Sequence, residues 1–135
     1  MAEPNENVFT LAYLNIHGQT GIKLDKQLQI EEFLQHNNID VLHCQEINIS
    51  EDTFSNCHLI DSSYNIITNN STNKYGTASL VKNEYCIENI AVDTSGRILI
   101  FDIQNITFGN FYLPSGTDGL SRSSRENYFA EIITY

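Results

Sequence analysis

Two polar side chains, Asn15 and Glu46, each stand at the end of a predicted β-strand. The runs that precede them, 8–15 and 40–45, are rich in apolar and β-prone residues, and a helical pattern lies between them. A strand, a helix and a strand joined by short connections form a parallel pair, so both strands end at one edge of the sheet. Carboxylate and amide oxygens at that edge suit a hard cation such as Mg²⁺. The structural alternative is that Glu46 caps a loop and Asn15 forms a turn.

Tyr112 and two arginines are further candidates for contacts with phosphate. Tyr112 ends another β-prone run, where a phenol could donate a hydrogen bond to a phosphate oxygen in a transition state. Arg122 and Arg125 flank a helix capping box at 123–126, and a helix N-terminus beside two guanidinium groups favours a phosphate. Sheet packing for Tyr112 and solvated positions for the two arginines are the ordinary alternatives.

The remaining polar residues give weaker signals. His43 alternates with apolar neighbours, so we interpret it as structural, and we interpret Glu31-Glu32 as a solvated face or cap. The sequence contains no glycine-rich phosphate loop and no G-x-S-x-G motif. Its three cysteines lack C-x-x-C spacing, which disfavours a zinc site and a disulfide framework. We therefore expect reduced, buried thiols.

The elements around these residues predict an α/β fold. The near-continuous apolar run 8–15 is typical of a strand covered on both faces. Residues 24–36 have helical spacing, and Asn37-Asn38 is a suitable stop because Asn tolerates the left-handed conformation. Gln104-Asn105 fits a tight hairpin turn. The later β-prone runs, which predict a mostly antiparallel sheet, are 64–68, 77–82, 85–92, 97–103 and 106–113, and a last helix follows from 123 to the end of the chain.

Composition and charge limit the class of protein. The 135 residues suit one domain or part of one, and 41% hydrophobic with 18% charged residues predicts a packed core. No run approaches the roughly 18 apolar residues of a membrane helix, and the polar, acidic start resembles no secretory or mitochondrial signal. We therefore expect an intracellular protein, nuclear or cytoplasmic, without a membrane partner. The net charge of −10 disfavours nucleic-acid binding, although a divalent-cation site itself requires carboxylates.

Five short blocks of sequence resemble, in their order, the endonuclease/exonuclease/phosphatase superfamily. They are LNIHG at 14–18, DVLHCQE at 40–46, YGTA at 75–78, GRI at 96–98 and NFYLP at 110–114. The longer segments LNIHGQTGIKLDKQLQIEEFLQ and NKYGTASL look most like the endonuclease domain of non-LTR retrotransposons, which precedes a reverse transcriptase in one polyprotein. The resemblance covers about residues 8–135. It implies the N-terminal half of a four-layer α/β sandwich, with a mixed, mostly antiparallel sheet flanked by helices.

The resemblance also implies roles for individual residues. Glu46 matches the metal-binding carboxylate, Asn15 belongs to the same metal and phosphate network, and Tyr112 matches a tyrosine that contacts the scissile phosphate. Arg125, and with it Arg122, is placed more loosely against DNA. The implied reaction is attack of an activated water on a phosphodiester, with Mg²⁺ stabilising charge on the phosphate and on the leaving oxygen.

Two blocks of the family do not occur in this chain. They are G-D-F-N, whose Asp and Asn orient water and phosphate, and S-D-H, whose His and Asp complete the acid–base apparatus. We therefore expect residues 1–135 to be a partial domain that holds essentially one of two packed sheets, with an open apolar face. The isolated chain is then expected to be unstable and inactive, to bind Mg²⁺ weakly or not at all, and to need the C-terminal half of the domain.

Three functions stay open on the sequence. The first is a DNA-nicking endonuclease fragment from a retroelement. The second is a phosphoesterase of the same superfamily for small molecules or lipids, which the acidic composition favours mildly and the absence of an apolar insertion disfavours. The third is a non-catalytic remnant. The downstream sequence of the gene distinguishes them, because reverse-transcriptase motifs support the first and a stop codon after Tyr135 supports the third.

Overall fold

The computed structural model describes residues 8–16, 24–47, 57–69, 76–113 and 126–127. The fold is mixed α+β, as the sequence predicts, with a four-stranded sheet ordered β1-β2-β4-β3 and a three-stranded sheet ordered β5-β6-β7. In these ranges we find no helix whose length and apolar character would let it cross a bilayer. The elements are β1 Leu11–Asn15, α1 Leu24–Asn37, β2 Val41–Ile47, α2 His58–Ser63, β3 Tyr64–Asn69, β4 Gly76–Lys82, β5 Glu88–Val92, β6 Ile98–Ile103 and β7 Ile106–Phe111.

The four-stranded sheet contains the predicted parallel pair. β1 and β2 run in the same direction, with Leu11 opposite Val41 and Asn15 opposite Gln45. The other neighbours, β2 with β4 and β4 with β3, are antiparallel. The two helices cover one face of this sheet through an apolar cluster that comprises Ile16, Ile30, Leu34, Ile39, Leu42, Cys44, Ile47, Cys57, Ile60, Tyr64, Ala78 and Leu80.

The ends of the helices follow local chemistry. Asn38, directly after α1, has a left-handed φ of 47°, which confirms the predicted helix stop. Glu31 caps α2 from the side, because its Oε2 accepts a hydrogen bond of 3.1 Å from the backbone N–H of Leu59. No pattern in the sequence predicts α2. This helix has six residues and no side-chain cap from Cys57, so neither an apolar period nor a start signal marks it.

The second sheet shows that the expectation of essentially one sheet in this chain is wrong. β5, β6 and β7 form a separate antiparallel sheet that packs against the first. The residues of the core between the sheets are Val41 and Val81 from the first sheet and Leu99, Phe101, Ile103 and Phe108 from the second. The apolar face that we expected to be open is therefore covered over β2 and β4, and the physical reason for expecting an unstable chain does not hold for this part of the sheet. A series of antiparallel strands does not reveal in sequence where one sheet ends and the next begins.

Two turns set the register of these strands. Gln104 and Asn105 have φ of 50° and 67°, as a two-residue hairpin between β6 and β7 requires, which confirms the predicted turn.

The strand predicted at 85–92 begins only at Glu88. Tyr85 instead lies in the preceding turn and donates a hydrogen bond of 2.8 Å to Asp40. Burial would raise the pKa of Asp40, but bonds from Thr10, Tyr85 and Lys82 hold it below its usual range.

Strand β1 is not covered on both faces, contrary to the sequence prediction. Leu11 is 39% exposed and Tyr13 is 60% exposed. The reason is the offset of the sheets, because the main contacts of β6 are with β3 and β4, and those of β7 are with β4 and β2. The described elements thus supply three of the four expected layers. Of the predicted last helix, only Glu126 and Asn127 are among the described residues, and both are helical.

The cysteines are free, and two of the three follow the prediction. Cys44 and Cys57 are buried, and burial raises the pKa of the Cys44 thiol to about 12. Cys86 is exposed, so the expectation of a buried thiol is wrong for this residue. It lies in the exposed connection before β5, where nothing in the spacing of the cysteines could indicate its exposure.

Candidate metal and phosphate site

Glu46 is the extra residue of a β-bulge. Along β2, Gln45 pairs with Thr77 and Ile47 pairs with Gly76, which leaves Glu46 without an opposite residue on β4. Its φ is 52°, a left-handed conformation that costs a residue with a side chain about 1–3 kcal/mol. Ile47 takes the buried, helix-facing position that regular alternation would give to residue 46. The bulge therefore frees the carboxylate of Glu46 from the apolar face below α1 and α2.

Tyr112 reaches this carboxylate from the second sheet. Its hydroxyl donates a hydrogen bond to Oε1 of Glu46, and both side chains are half-buried. Phe108, Asn110 and Tyr112 alternate along β7 and its extension, so all three face the first sheet. The phenol and the carboxylate thus lie at the edge where the two sheets meet, with Oε2 of Glu46 on the same carboxyl group as a second acceptor.

Asn15 ends β1 beside this pair. It lies opposite Gln45 in the parallel register, and Gln45 directly precedes Glu46. The backbone N–H of Ile16 donates a bond of 3.0 Å to the carbonyl of Gln45, so the pairing continues past the end of β1. The structure therefore brings Asn15, Glu46 and Tyr112 to one edge of the sandwich. Arg122 and Arg125, the other predicted contacts, lie outside the described residues.

Arg97 also lies at this edge, although it is not among the residues predicted from the sequence. Its guanidinium carbon lies 5.0 Å from the centroid of the Tyr112 ring, and Nη1 donates a bond of 3.3 Å to the Tyr112 carbonyl. Tyr112 returns a backbone bond of 2.9 Å to the carbonyl of Arg97. The block GRI at 96–98 could have indicated Arg97 as a phosphate contact, because an arginine is uncommon in so acidic a chain. Of the described lysines, Lys26 donates to the carbonyl of Ile16, next to Asn15, and Lys82 pairs with Asp40 just before β2.

His43 is structural, as its place in the sequence predicts. The ring is fully buried between Tyr13 and Phe101, and Nδ1 is hydrogen bonded to the hydroxyl of Ser79 at 2.6 Å. Burial lowers the pKa of His43 to about 4, so the ring is neutral at physiological pH.

The residues at this edge are compatible with a divalent cation that the protein holds through few ligands. Within the described ranges, no group of three or more His, Cys, Asp or Glu side chains could hold a metal ion. Mg²⁺ does not require such a cluster, since one or two carboxylates with water and substrate phosphate commonly hold it. Glu46 provides one carboxylate at this edge, and Asn15 lies beside it in the strand register, which suits that mode but not tight binding by the protein alone.

Comparison of the sequence with family models and with curated proteins gives no match. Comparison of the structure with solved structures does give matches. An AP endonuclease from Archaeoglobus fulgidus superposes with a TM-score of 0.73 at 17% identity, over 95% of this chain and 51% of that protein. A 3′ phosphatase from Neisseria, solved with a product DNA hairpin, gives 0.71 at 17% identity, over 91% of this chain and 49% of that one. Truncated TDP2 from Caenorhabditis elegans gives 0.63 at 23% identity, over 89% and 51%.

These likenesses establish the fold. The chain spans about half the length of the solved structures that it matches. The chain shares the fold of about half of each of these solved structures, and its described part places Glu46 and Tyr112 where its two sheets meet.

Proposed function

We propose that this chain forms the N-terminal half of a Mg²⁺-dependent phosphodiesterase that nicks DNA, of the kind found in the polyproteins of non-LTR retrotransposons. The observation that carries the proposal is the Glu46 carboxylate, held out of the helix-facing core by a bulge and hydrogen bonded to Tyr112. The fold supports the same reaction class, because the structures it resembles include an AP endonuclease and a 3′ phosphatase. The retrotransposon origin rests on the sequence resemblance alone.

Each side chain of this edge has a separate role in binding a phosphodiester. Glu46 and Asn15 present the oxygens that would hold a divalent cation, and the bound cation would supply positive charge to the phosphate. Tyr112 fixes the orientation of Glu46 through its hydroxyl, and the single proton of this hydroxyl would be donated to a phosphate oxygen instead once a cation holds Glu46. The Tyr112 ring in turn lies against Arg97, so the phenol is held from two sides.

Arg97 is our candidate for the first contact with the phosphate backbone. Within the described part of the chain, its guanidinium makes one hydrogen bond, to the Tyr112 carbonyl, and the side chain is half-buried. A guanidinium has five N–H donors in a planar fork that matches phosphate oxygens. A net charge of −10 makes such a local cation important, because the overall field of the chain repels DNA. Arg122 and Arg125 are proposed to extend this contact surface.

A second half of the domain would complete the sheets beside β1 and β7. Each of these strands has one edge without a partner among the described strands. Because β7 contacts β2 and β4, a strand added next to β7 would lie opposite β1 and would cover Leu11 and Tyr13. An open groove of about 230 Å³ lies beside β1 and α1 and is lined by Tyr13, Leu14, Lys26, Gln29, Ile30 and Phe33. We propose that the missing acid–base residues enter the site on these strands, followed in the polyprotein by the reverse transcriptase.

The second candidate function is a phosphoesterase for a smaller substrate. The acidic composition favours it, since a small phosphoester needs no extended basic surface. One solved structure with this fold is itself a 3′ phosphatase. The same Glu46 and Tyr112 would serve that reaction, so a substrate comparison separates the two functions.

The test is a nicking assay on the chain joined to the segment that follows it in its gene. We expect Mg²⁺-dependent conversion of supercoiled plasmid to open circles, and a loss of about 100-fold or more in Glu46→Gln. Glu88→Gln, which removes the same charge from an exposed position on β5, is the matched control. A Glu46→Gln variant as active as Glu88→Gln would contradict the assignment. Release of phosphate from small esters without nicking would favour the second candidate.

A further inference from the structure

The space between the two sheets changes from apolar to polar towards the Glu46–Tyr112 edge. Phe108 packs in the apolar core, whereas Asn110, one alternation further along β7, is fully buried and polar. On the first sheet, Val41 packs in the same apolar core, and His43 and Gln45 follow it on the same face of β2. A polar layer thus separates the apolar core from the candidate site.

Asn110 is the centre of this layer. Its amide nitrogen lies 2.9 Å from the carbonyl oxygen of Ala78 and 3.2 Å from that of Cys44, two residues that face each other across β2 and β4. The same nitrogen lies 3.2 Å from the hydroxyl of Ser79. One side chain of β7 therefore contacts both central strands of the opposite sheet.

The amide oxygen of Asn110 connects this layer to the candidate site through Gln45. The Nε2 group of Gln45 donates a hydrogen bond of 2.8 Å to Oδ1 of Asn110. Gln45 is the last regular residue of β2 before the bulge at Glu46, and Tyr112 lies one alternation beyond Asn110 on the β7 side. Glu46 directly follows Gln45, and Tyr112 lies two residues after Asn110. The Gln45–Asn110 bond is therefore next to the Glu46–Tyr112 bond.

We propose that Asn110 is a positioning residue that fixes the separation and register of β7 and β2, and so sets the Tyr112 hydroxyl on the Glu46 carboxylate. Its functional meaning rests on the proposed role of Glu46 in binding a cation. Leaving any of these buried amide groups without a partner is costly, so the network admits one arrangement of the two strands. A carboxylate held in one orientation also loses less rotamer freedom when it binds a cation.

A second buried asparagine provides a matched control. Asn69 is 2% exposed and also joins the two sheets, through bonds of 2.9 Å to Oδ1 of Asp93 and 2.8 Å to the carbonyl of Ile98. These bonds connect β3 with the β5–β6 side and involve neither β2 nor β7. Asn69→Ala and Asn110→Ala should therefore cost comparable stability, and a purely structural role for Asn110 predicts the same effect at the site from both.

The experiment measures the coupling of Tyr112 to Glu46 by ¹³C NMR in the 135-residue chain, at a temperature where every variant is folded. In the parent, Tyr112→Phe removes a donor and shifts the side-chain carboxyl resonance of Glu46, which is assigned by its loss in Glu46→Gln. We expect this shift to be mostly lost in the Asn110→Ala background and retained in Asn69→Ala. A full-sized shift in Asn110→Ala, or an equal loss in both backgrounds, overturns the proposal.

A second variant decides the outcome if Asn110→Ala does not fold. Gln45→Leu removes only the bond to Oδ1 of Asn110, and it should weaken the same shift, whereas an undiminished shift overturns the proposal. Titration with Mg²⁺ alone, followed at the Glu46 resonance, tests the functional part, and we expect a weaker apparent affinity in Asn110→Ala than in Asn69→Ala. If Mg²⁺ does not move this resonance in the parent, the proposed cation site fails, while the coupling still decides the positioning role.

Discussion

The hydroxyl of Tyr112 donates a hydrogen bond to the carboxylate of Glu46, although the two residues belong to opposite sheets and lie 66 positions apart. This bond depends on a bulge in β2, a buried amide on β7 and an arginine against the tyrosine ring. The geometry of the candidate site is therefore a product of how the two sheets pack.

Tyr112→Phe should leave the fold intact and impair the site. The phenylalanine ring keeps the contact with Arg97, and the variant loses only the hydroxyl. A hydrogen bond to a charged group contributes about 1.5–3 kcal/mol at most, and less in this half-exposed place, so the melting temperature should change little. Nicking by the completed domain should fall by about 100-fold, as for loss of one transition-state donor. Tyr85→Phe, which removes a phenol hydroxyl bonded to the carboxylate of Asp40, is the control, and an equal effect of both substitutions on nicking would contradict the role of Tyr112.

Phe101→Ala should show that the two sheets form one cooperative unit. Phe101 is fully buried between the sheets and stacks with Phe108, with ring centroids 5.7 Å apart. Truncation of such a side chain costs about 3–5 kcal/mol. Denaturant unfolding followed by circular dichroism should give a single transition in the parent and a lower midpoint in the variant. Ile106→Ala, at an exposed position of β7, should change the midpoint little, and a non-cooperative parent would restore the expectation of an unstable chain.

The stability of the chain should depend on His43 below neutral pH. Burial lowers the pKa of His43 from 6.5 to about 4, so the unfolded chain binds a proton there at a higher pH than the folded chain does. The contribution of His43 to stability is thus complete above pH 6.5 and falls as the pH decreases towards 4. His43→Leu removes this titration and should flatten the melting temperature between these pH values. A variant whose melting temperature falls as steeply as that of the parent would show that His43 is not the group responsible.

Hydrogen exchange can locate the strands that the second half of the domain adds. In the isolated chain, the outer amides of all four edge strands should exchange rapidly. In the completed domain, we expect slower exchange at the edges of β1 and β7, and unchanged exchange at β3 and β5 as internal controls. Protection at β3 or β5 in place of β1 and β7 would contradict the proposed completion of the sheets.

Sequence predicted the local structure of this chain better than its layering. Asn38 and the Gln104-Asn105 turn were predictable because the left-handed conformation leaves a signature in a few adjacent residues. The parallel pair placed Asn15 near Glu46 because a short crossover permits little else. The second sheet, by contrast, depends on which strands form hydrogen bonds with each other over long sequence separations. No local sequence pattern indicates which strands pair.

The candidate site, too, was predictable from the sequence only in part. The ends of strands indicated Glu46 and Tyr112, but the bulge that turns Glu46 towards Tyr112 has no sequence signal, since the extra residue is neither glycine nor asparagine. Asn110 was part of a recognised block and yet had no predicted role. Its importance becomes visible only when its partners on β2 and β4 are known.

Terbium luminescence tests the central claim, that Glu46 and Tyr112 form a site for a hard cation. Tb³⁺ prefers the same oxygen ligands as Mg²⁺ and emits when a nearby tyrosine is excited, and the chain contains no tryptophan to interfere. The account predicts saturable emission that weakens by about tenfold or more in apparent affinity in Glu46→Gln, loses most of its intensity in Tyr112→Phe, and is unchanged in Glu88→Gln. Emission that is unaffected by Glu46→Gln and Tyr112→Phe would place any bound cation elsewhere and would contradict the account.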